Sequence, residues 1–221
     1  KERSKELLLE CGDVSNDDPR TKRSGLYHEI IKDYEGKSIQ ILFLDTRTFR
    51  DNLKPSDDKG AIGKERYVPF PDTSLTMLGR EQWQWLAQKI SKPVNYRFIV
   101  SSIQFLALGH GWECWNNLPY ERQRLIDLID KSNIDHTVLL SGDRHRGGVY
   151  QLKTNSNKII SEMTSSSLNV PYSNPEELGP LRIGSTYSKE NYGVIQLGES
   201  QDSISVMLKN IKGEVLTSFK L

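Results

Sequence analysis

Apolar positions in the first two thirds of the chain fall into short runs and helix-like stripes. Four runs predict strands, and they occupy residues 27–34, 38–45, 97–105 and the stretch that begins at 136. Two stripes predict amphipathic helices at 78–91 and 119–131, because apolar side chains recur there at helical spacing. Strands that alternate with helices indicate an α/β layer.

The pattern changes after residue 147 to short strands and turns. The predicted strands are residues 148–154, 158–164, 192–197, 203–210 and 215–219. They predict an antiparallel meander. The polar segment 165–190 contains Pro171, Pro175 and Pro180, and we expect it either to close over a site or to cross the end of the sheet.

Two further segments lack apolar periodicity. Residues 11–24 are polar and are expected to form a solvated connection. Residues 52–76 form a loop rich in Pro and Gly, and a loop of this length usually has a function or is mobile. The chain begins at Lys1, in what resembles the end of a helix, without Met or an apolar signal segment. We therefore expect a processed product or a fragment of a longer protein.

Composition narrows the class of protein. The 221 residues are 36% hydrophobic and 27% charged, which suits one domain with a sizeable core. The net charge is +1 and no Lys/Arg block stands out, so we expect neither a nucleic acid partner nor binding to anionic membranes. The apolar runs are too short to span a bilayer. Cys11 and Cys114 could form one disulfide or stay free, and nothing in the sequence sets an oligomeric state.

Candidate metal chemistry lies just after the strand that begins at His136. Asp143 and His145 follow that strand two residues apart, at the end where ligands of α/β sheets usually bind. A carboxylate oxygen beside an imidazole nitrogen suits a catalytic metal ion. The alternative interpretation is a surface turn that carries a solvated acid and an unrelated histidine.

A second group of polar and aromatic side chains occupies 109–117, after the strand at 97–105. Glycines flank His110, and His110 could hold a phosphate oxygen or protonate a leaving group, because an unperturbed imidazole titrates near neutrality. The alternative is a histidine packed between Trp112 and Trp115 in a rigid loop. Cys114 is the less favoured candidate for a metal ligand.

Acidic and guanidinium groups alternate between Asp45 and Asp51, where the strand at 38–45 ends. Arg47 and Arg50 could bind phosphate, since a guanidinium group matches the spacing of anion oxygens. The alternative is an internal Asp–Arg network that pins the long loop after it.

A series of short motifs runs through nearly the whole chain. In order they are Gly25-Leu26-Tyr27-His28, Leu44-Asp45-Thr46-Arg47 with Arg50-Asp51, Met77-Leu78-Gly79 with Gln82-Trp83 and Trp85-Leu86, Ser101-Ser102-Ile103-Gln104-Phe105, His110-Gly111-Trp112-Glu113 with Trp115, Pro119 with Glu121-Arg122, Ser141-Gly142-Asp143-Arg144-His145, and Glu162-Met163-Thr164-Ser165-Ser166. As a series they resemble the PhoD-like alkaline phosphatase family of metallophosphoesterases.

The resemblance implies a sandwich of two mixed β-sheets flanked by helices, within a single α/β domain. This chain resembles the C-terminal portion of that domain, with 1–147 as its α/β part and 148–221 as its mainly antiparallel part. The implied activity is hydrolysis of phosphate monoesters, diesters or both at alkaline pH, by a metal-activated hydroxide. The implied cofactors are Ca²⁺ and Fe³⁺ in a binuclear centre, with other divalent metals possible, and the implied location is extracytoplasmic.

Carried over by motif, Asp143 and His145 match metal ligands of the family, whereas His110 and Trp112 match the segment near the substrate entrance. The family's other ligands lie in the front half of the domain, in Gly-Asp and Asp-His-Asp loops with an Asn, a Cys and a Tyr, and this sequence resembles the back half only. A noncatalytic fragment or interaction module is therefore the alternative. A single-metal peptidase is a weaker one, because the sequence has no His-Glu-x-x-His helix.

Overall fold

The computed structural model describes residues 2–172, 179–198 and 203–221. Its α-helices are α1 (Glu2–Cys11), α2 (Pro19–Lys22), α3 (Gly79–Ile90) and α4 (Pro119–Asp130). Its strands are β1 (His28–Tyr34), β2 (Lys37–Phe43), β3 (Tyr96–Ser101), β4 (His136–Ser141), β5 (Gly147–Lys153), β6 (Ile159–Thr164), β7 (Arg182–Tyr187), β8 (Asn191–Leu197), β9 (Ile204–Asn210) and β10 (Val215–Lys220). None of the described helices is long and apolar enough to cross a bilayer.

Ten strands form two sheets within the described residues. The larger sheet has the order β1-β2-β3-β4-β6-β5-β7, and the smaller has the order β10-β9-β8. Strands β2, β3, β4 and β6 run parallel, while β1, β5 and β7 add antiparallel edges. The larger sheet is therefore mixed and the smaller is antiparallel, which confirms the expected α/β sandwich of two sheets.

Each face of the larger sheet has its own apolar core. On one face Leu42 and Leu139 pack with Trp83 and Leu86 of α3 and Leu125 of α4. Alternate side chains of a strand point to opposite faces, so the residues adjacent to Leu42 and Leu139 point to the second face. On this second face Ile39, Phe98 and Val138 pack against Ile204, Val206 and Leu208 of β9. The helices thus cover one face and the smaller sheet covers the other.

The first two strands form an antiparallel hairpin. Its turn consists of Glu35 and Gly36 alone, because Tyr34 already pairs with Lys37. Both turn residues have positive φ, 50° and 79°, as a two-residue type I′ turn requires.

The predicted meander differs from the structure in one respect. Strands β8, β9 and β10 do form one, but β5 and β6 join the larger sheet, where β6 lies parallel to β4. The polar segment 165–190 also contains strand β7, whose sequence RIGSTY lacks apolar alternation because it is a largely exposed edge strand. Pro175 and the turn residues 199–202 lie outside the described residues.

Strand β3 ends at Ser101, earlier than predicted. The backbone N–H groups of Phe105 and Leu106 donate instead to the Glu162 carboxylate, at 2.8 and 2.5 Å. The apolar side chains at 103–106 are buried as strand residues would be. Apolar character alone therefore could not separate strand from buried loop here.

The long loop 52–76 is packed in place, without helix or strand apart from a bridge between Pro55 and Tyr67. The N–H groups of Arg66 and Tyr67 donate to the carbonyl of Gly111, at 3.0 and 2.7 Å. The loop thus lies against the 109–117 segment and carries Arg66 toward the edge of the sheet.

Replacing Gly111 by alanine should destabilise this contact. The added Cβ would lie 2.5 Å from the Glu65 nitrogen and 2.6 Å from the Lys64 Cα, both backbone atoms that cannot rotate away. We expect a loss of about 1–3 kcal/mol in the free energy of unfolding, measured by urea denaturation. The matched control is Gly142→Ala, whose Cβ would meet its nearest atom at 4.0 Å. Equal stability of the two variants would contradict this prediction.

Candidate functional site

The carboxyl ends of four parallel strands lie side by side. Phe43 pairs with Val100, Ser101 with Ser141, and Ser141 with Thr164, so β2, β3, β4 and β6 end at the same edge. The loops that follow these strands therefore meet there, as in other open α/β sheets.

Asp143 and His145 project from the loop after β4. Both residues have left-handed backbone, with φ of 70° and 54°, a conformation that Asp and His tolerate better than most residues. Their side chains are exposed, while Arg144 between them is buried. The two left-handed residues thus turn the candidate ligands outward and the guanidinium group inward. Non-glycine residues held in this conformation are frequent at functional sites.

Hydrogen bonds tie this loop to the segment after β6. The N–H of His145 donates to the hydroxyl of Ser166 at 3.1 Å, and the N–H of Tyr172 donates to the His145 carbonyl at 3.0 Å. The loop is therefore held on both sides of His145.

Glu162 on β6 is a fully buried carboxylate beneath this edge. It accepts hydrogen bonds from the N–H groups of Phe105 and Leu106, and from the Ser141 hydroxyl at 2.6 Å. Burial raises the pKa of Glu162 above its usual value, although these three donors favour the ionised form. Glu162 thus joins the ends of β3 and β4 beneath the loop that carries Asp143.

A pocket of about 370 Å³ opens beside Asp143 and His145. It is lined by Arg66, Trp112, Asp143, Arg144, His145 and Tyr172. The guanidinium carbons of Arg66 and Arg144 lie 5.5 and 5.6 Å from the centre of the Trp112 ring. The Tyr172 ring meets Trp112 edge to face at 6.0 Å. Two cations and an aromatic wall suit an anion that carries an organic group.

Trp112 therefore lies in the same pocket as Asp143 and His145, whereas His110 lies behind it. The His110 Nε2 is 3.1 Å from Oε1 of Gln104, and its Nδ1 accepts the N–H of Trp112 at 3.2 Å. A ring that accepts at Nδ1 and donates at Nε2 is the neutral tautomer. Its contacts position the Trp112 backbone, and a substrate contact by His110 remains a prediction.

Burial, followed by the charges of Arg144 and Arg146, lowers the pKa of His110 to about 3. The unfolded chain then binds one more proton than the folded chain between about pH 6.5 and pH 3. Stability contributed by neutral His110 is therefore complete above pH 6.5 and is lost as the pH falls through that window.

We expect His110→Asn, which keeps an acceptor for the Trp112 N–H, to remove this pH dependence. Wild-type protein should lose up to about 1.4 kcal/mol per pH unit relative to the variant between pH 6.5 and 4.5. Urea denaturation across that range measures the difference. Parallel pH profiles of the two proteins would contradict the expectation.

The acidic and basic cluster after β2 forms an internal network. The Asp45 carboxylate accepts the N–H groups of Leu26, Arg47 and Thr48, each at 2.9 Å. Burial of Asp45 raises the pKa of its carboxyl, but hydrogen bonds led by Thr48 outweigh burial, so the net shift is downward. Arg47 and Arg50 both reach Oε1 of Glu113, at 2.5 and 3.2 Å. The cluster is thus an internal network, as the second interpretation expected, but Asp45 binds backbone N–H groups and the acidic partner of Arg50 is Glu113 rather than an aspartate of the cluster.

Several residues of the site were given no role by the sequence analysis, although some of them belong to the quoted motifs. They are Arg66, Glu113, Arg144, Glu162 and Tyr172. Arg144 and Glu113 are adjacent in sequence to candidate site residues, and this proximity could have marked them as candidates too. Arg66 and Tyr172 lie in long polar segments where no periodic pattern marks one residue.

The described residues do not by themselves fit a binuclear metal centre. They contain no group of three or more His, Cys, Asp or Glu side chains arranged to hold a metal ion. A hard cation such as Ca²⁺ needs about six ligands or more, and Asp143 and His145 would supply only two. Cys114 is fully buried as a free thiol, and burial raises its pKa to about 11, which disfavours the thiolate that binds metals. Cys11 is also free.

An acid, a histidine and arginines thus meet at the carboxyl edge of a two-sheet α/β fold, where ligands of such sheets bind. The model of the PhoD-like phosphatase family matches residues 19–215. The chain therefore belongs to that family.

A curated relative and a solved structure are similar to this chain. The chain is 28% identical to alkaline phosphatase D of Bacillus subtilis (strain 168) over 137 residues, which are 58% of this chain and 23% of the relative. It also matches the solved structure of PhoD with a TM-score of 0.56 and 21% identity, over 88% of this chain and 44% of that one. The structural match supports the fold. The chain thus spans less than half the length of both proteins.

Proposed function

We propose that this chain forms the substrate-facing part of an enzyme that hydrolyses phosphate monoesters, diesters or both. The observation that carries the proposal is the shared pocket, in which exposed Asp143 and His145 stand beside Arg66, Arg144 and Trp112. Membership of the PhoD-like phosphatases supports a phosphate ester as the substrate. An extracytoplasmic location belongs to the same proposal and rests on the family resemblance alone.

Under this proposal the residues in and behind the pocket have distinct tasks. Arg66 and Arg144 supply positive charge that attracts a phosphate ester. Trp112 contacts the organic group of the ester, while His110 holds the Trp112 backbone. Asp143 and His145 bind metal, with Ca²⁺ and Fe³⁺ or other divalent metals as the resemblance implies. Further ligands would have to come from residues other than those described. Hydrolysis by a metal-activated hydroxide is supported by the resemblance alone.

The experiment uses the polypeptide as its source organism makes it, carrying these 221 residues. It is assayed with p-nitrophenyl phosphate and bis(p-nitrophenyl) phosphate, with Ca²⁺ and Fe³⁺ added and then removed by chelator. Hydrolysis of either ester that is lost with the metals is the expected result. Absence of hydrolysis under every metal condition would overturn the proposal.

A second candidate is that the chain as it stands is a noncatalytic module that binds metal weakly. The observation that favours it is the incomplete ligand set within the described residues. The 221-residue chain assayed alone separates the candidates. Turnover by this chain that depends on Asp143 would exclude the noncatalytic candidate. Inactivity of the chain beside an active natural polypeptide would mean that other residues complete the centre.

A further inference from the structure

Arg47 is the basic residue that links the two acidic groups at the edge of the sheet. Its Nη1 donates to Oε1 of Glu113 at 2.5 Å, and its Nη2 lies 3.5 Å from Oδ1 of Asp143. Glu113 belongs to the loop after β3 and Asp143 to the loop after β4. Arg47 therefore spans the loops that follow three neighbouring strands.

The backbone beneath Arg47 is fixed before any ligand arrives. The Asp45 carboxylate accepts the N–H groups of both Arg47 and Thr48, and also the Thr48 hydroxyl at 2.7 Å. A side chain that starts from a fixed backbone loses less conformational entropy when it binds a ligand. Arg47 is thus preorganised at its base.

Arg47 and Arg50 differ in solvent exposure and in the strength of their contacts with acidic residues. The Arg50 side chain is 18% exposed and its Nη1 lies 3.2 Å from Glu113, inside the network. The Arg47 side chain is 50% exposed, and its second contact is the long one to Asp143. Nη2 therefore lies beside Asp143, a residue of the pocket wall, and its contact there is weak.

The long contact to Asp143 is the one that an incoming anion would displace. Nη2 and Oδ1 of Asp143 are 3.5 Å apart, whereas the hydrogen bond from Nη1 to Glu113 is 2.5 Å long and is the stronger of the two. Glu113 would still hold Nη1, so the guanidinium group would stay in place with Nη2 turned to an incoming anion. The planar guanidinium group can donate two parallel hydrogen bonds, whose spacing matches the oxygens of a phosphoryl group.

We propose that Arg47 binds the phosphoryl group of the substrate through Nη2, and that Glu113 is its positioning residue. This proposal rests on the proposed function and adds a named phosphate-binding residue to it. The two arginines of the cluster then have different roles, because Arg50 stabilises the loop whereas Arg47 faces the ligand.

The probe is inorganic phosphate, and its dissociation constant is measured by titration calorimetry on the natural polypeptide in the presence of metal. Arg47→Gln should weaken phosphate binding by about 10- to 100-fold, because a hydrogen bond to a charged group is lost. Arg47→Lys should weaken binding less, since the charge remains while the planar fork is lost. The control is Arg3→Gln, on exposed α1, which should leave the constant unchanged.

A second measurement separates a binding role from a structural one. Millimolar guanidinium should partly restore phosphate binding to Arg47→Ala, which a variant with a damaged fold would not show. Glu113→Gln should weaken phosphate binding and raise KM with little change in kcat, and its urea unfolding curve confirms that it folds.

The outcomes distinguish the two proposals. Phosphate binding by wild type that is unchanged in Arg47→Gln would overturn the role of Arg47 and leave the proposed function standing. Lack of phosphate binding and of ester hydrolysis by wild type would overturn both. Weakened binding in Arg47→Gln without guanidinium rescue of Arg47→Ala would assign Arg47 to the loop network and overturn its contact with phosphate.

Discussion

Asp143→Ala should lower kcat/KM for phosphate esters by at least about 100-fold, the largest functional effect that we expect. Loss of residues that merely support metal ligands already costs about 10- to 100-fold, and Asp143 is proposed as a ligand itself. The exposed carboxylate is held in left-handed backbone at the mouth of the pocket, so its removal changes the site without opening the core. Steady-state kinetics with both p-nitrophenyl esters, together with the metal content of the purified variant, measure the effect.

The matched control is Asp135→Ala. Asp135 is also exposed and also flanks β4, but it precedes the strand at the opposite end from Asp143. It should keep wild-type activity and metal content. Activity of Asp143→Ala within a few-fold of wild type would remove Asp143 from the site, and equal loss in both variants would indicate a general defect of the strand.

Glu162→Ala should lower the free energy of unfolding by about 3–5 kcal/mol, the largest effect on stability that we expect. The substitution leaves the N–H groups of Phe105 and Leu106 without their acceptor in a fully buried position. It also removes the link to Ser141 at the end of β4. Each buried donor left unpaired costs about 1–3 kcal/mol, and the cavity adds to that. Urea denaturation at pH 7 measures the change.

Glu162→Gln keeps the shape of the side chain but turns one acceptor oxygen into a donor. We expect it to cost less than the alanine variant and more than a surface change, because one of the two backbone N–H groups loses its partner. Glu81→Ala, exposed on α3, serves as the control and should stay within about 1 kcal/mol of wild type. A Glu162→Ala protein as stable as that control would refute the structural role of this carboxylate.

The elements of the α/β layer could be predicted because their signals are local. The stripe of Gln82, Leu86 and Ile90 recurs at helical spacing, and α3 buries those residues. The apolar run of β2 and the Glu35-Gly36 turn are likewise recognised from residues that are adjacent in the sequence. Such patterns fix an element before any distant contact forms.

Part of the site could be predicted for the same reason. Asp143 and His145 directly follow a strong strand, and the strand's carboxyl end determines the edge at which they lie. Trp112 follows the next strand in the sheet and reaches the same pocket. Their chemistry as ligands and substrate contacts remains a prediction.

The tertiary structure alone decided the rest. Pairing of β6 with β4, the burial of Glu162 under the loop, and the contact of Arg66 with Trp112 join residues far apart in sequence. His110 is turned inward by a nearer partner, because the chain bends away from β3 and brings Gln104 within hydrogen-bond distance of its ring. The sequence by itself determined the main helices and strands of the α/β layer and the edge that carries the acid and the imidazole. The packing of distant segments decided which side chains meet there. A contact between residues far apart in the chain leaves no local pattern in the sequence from which it could be predicted.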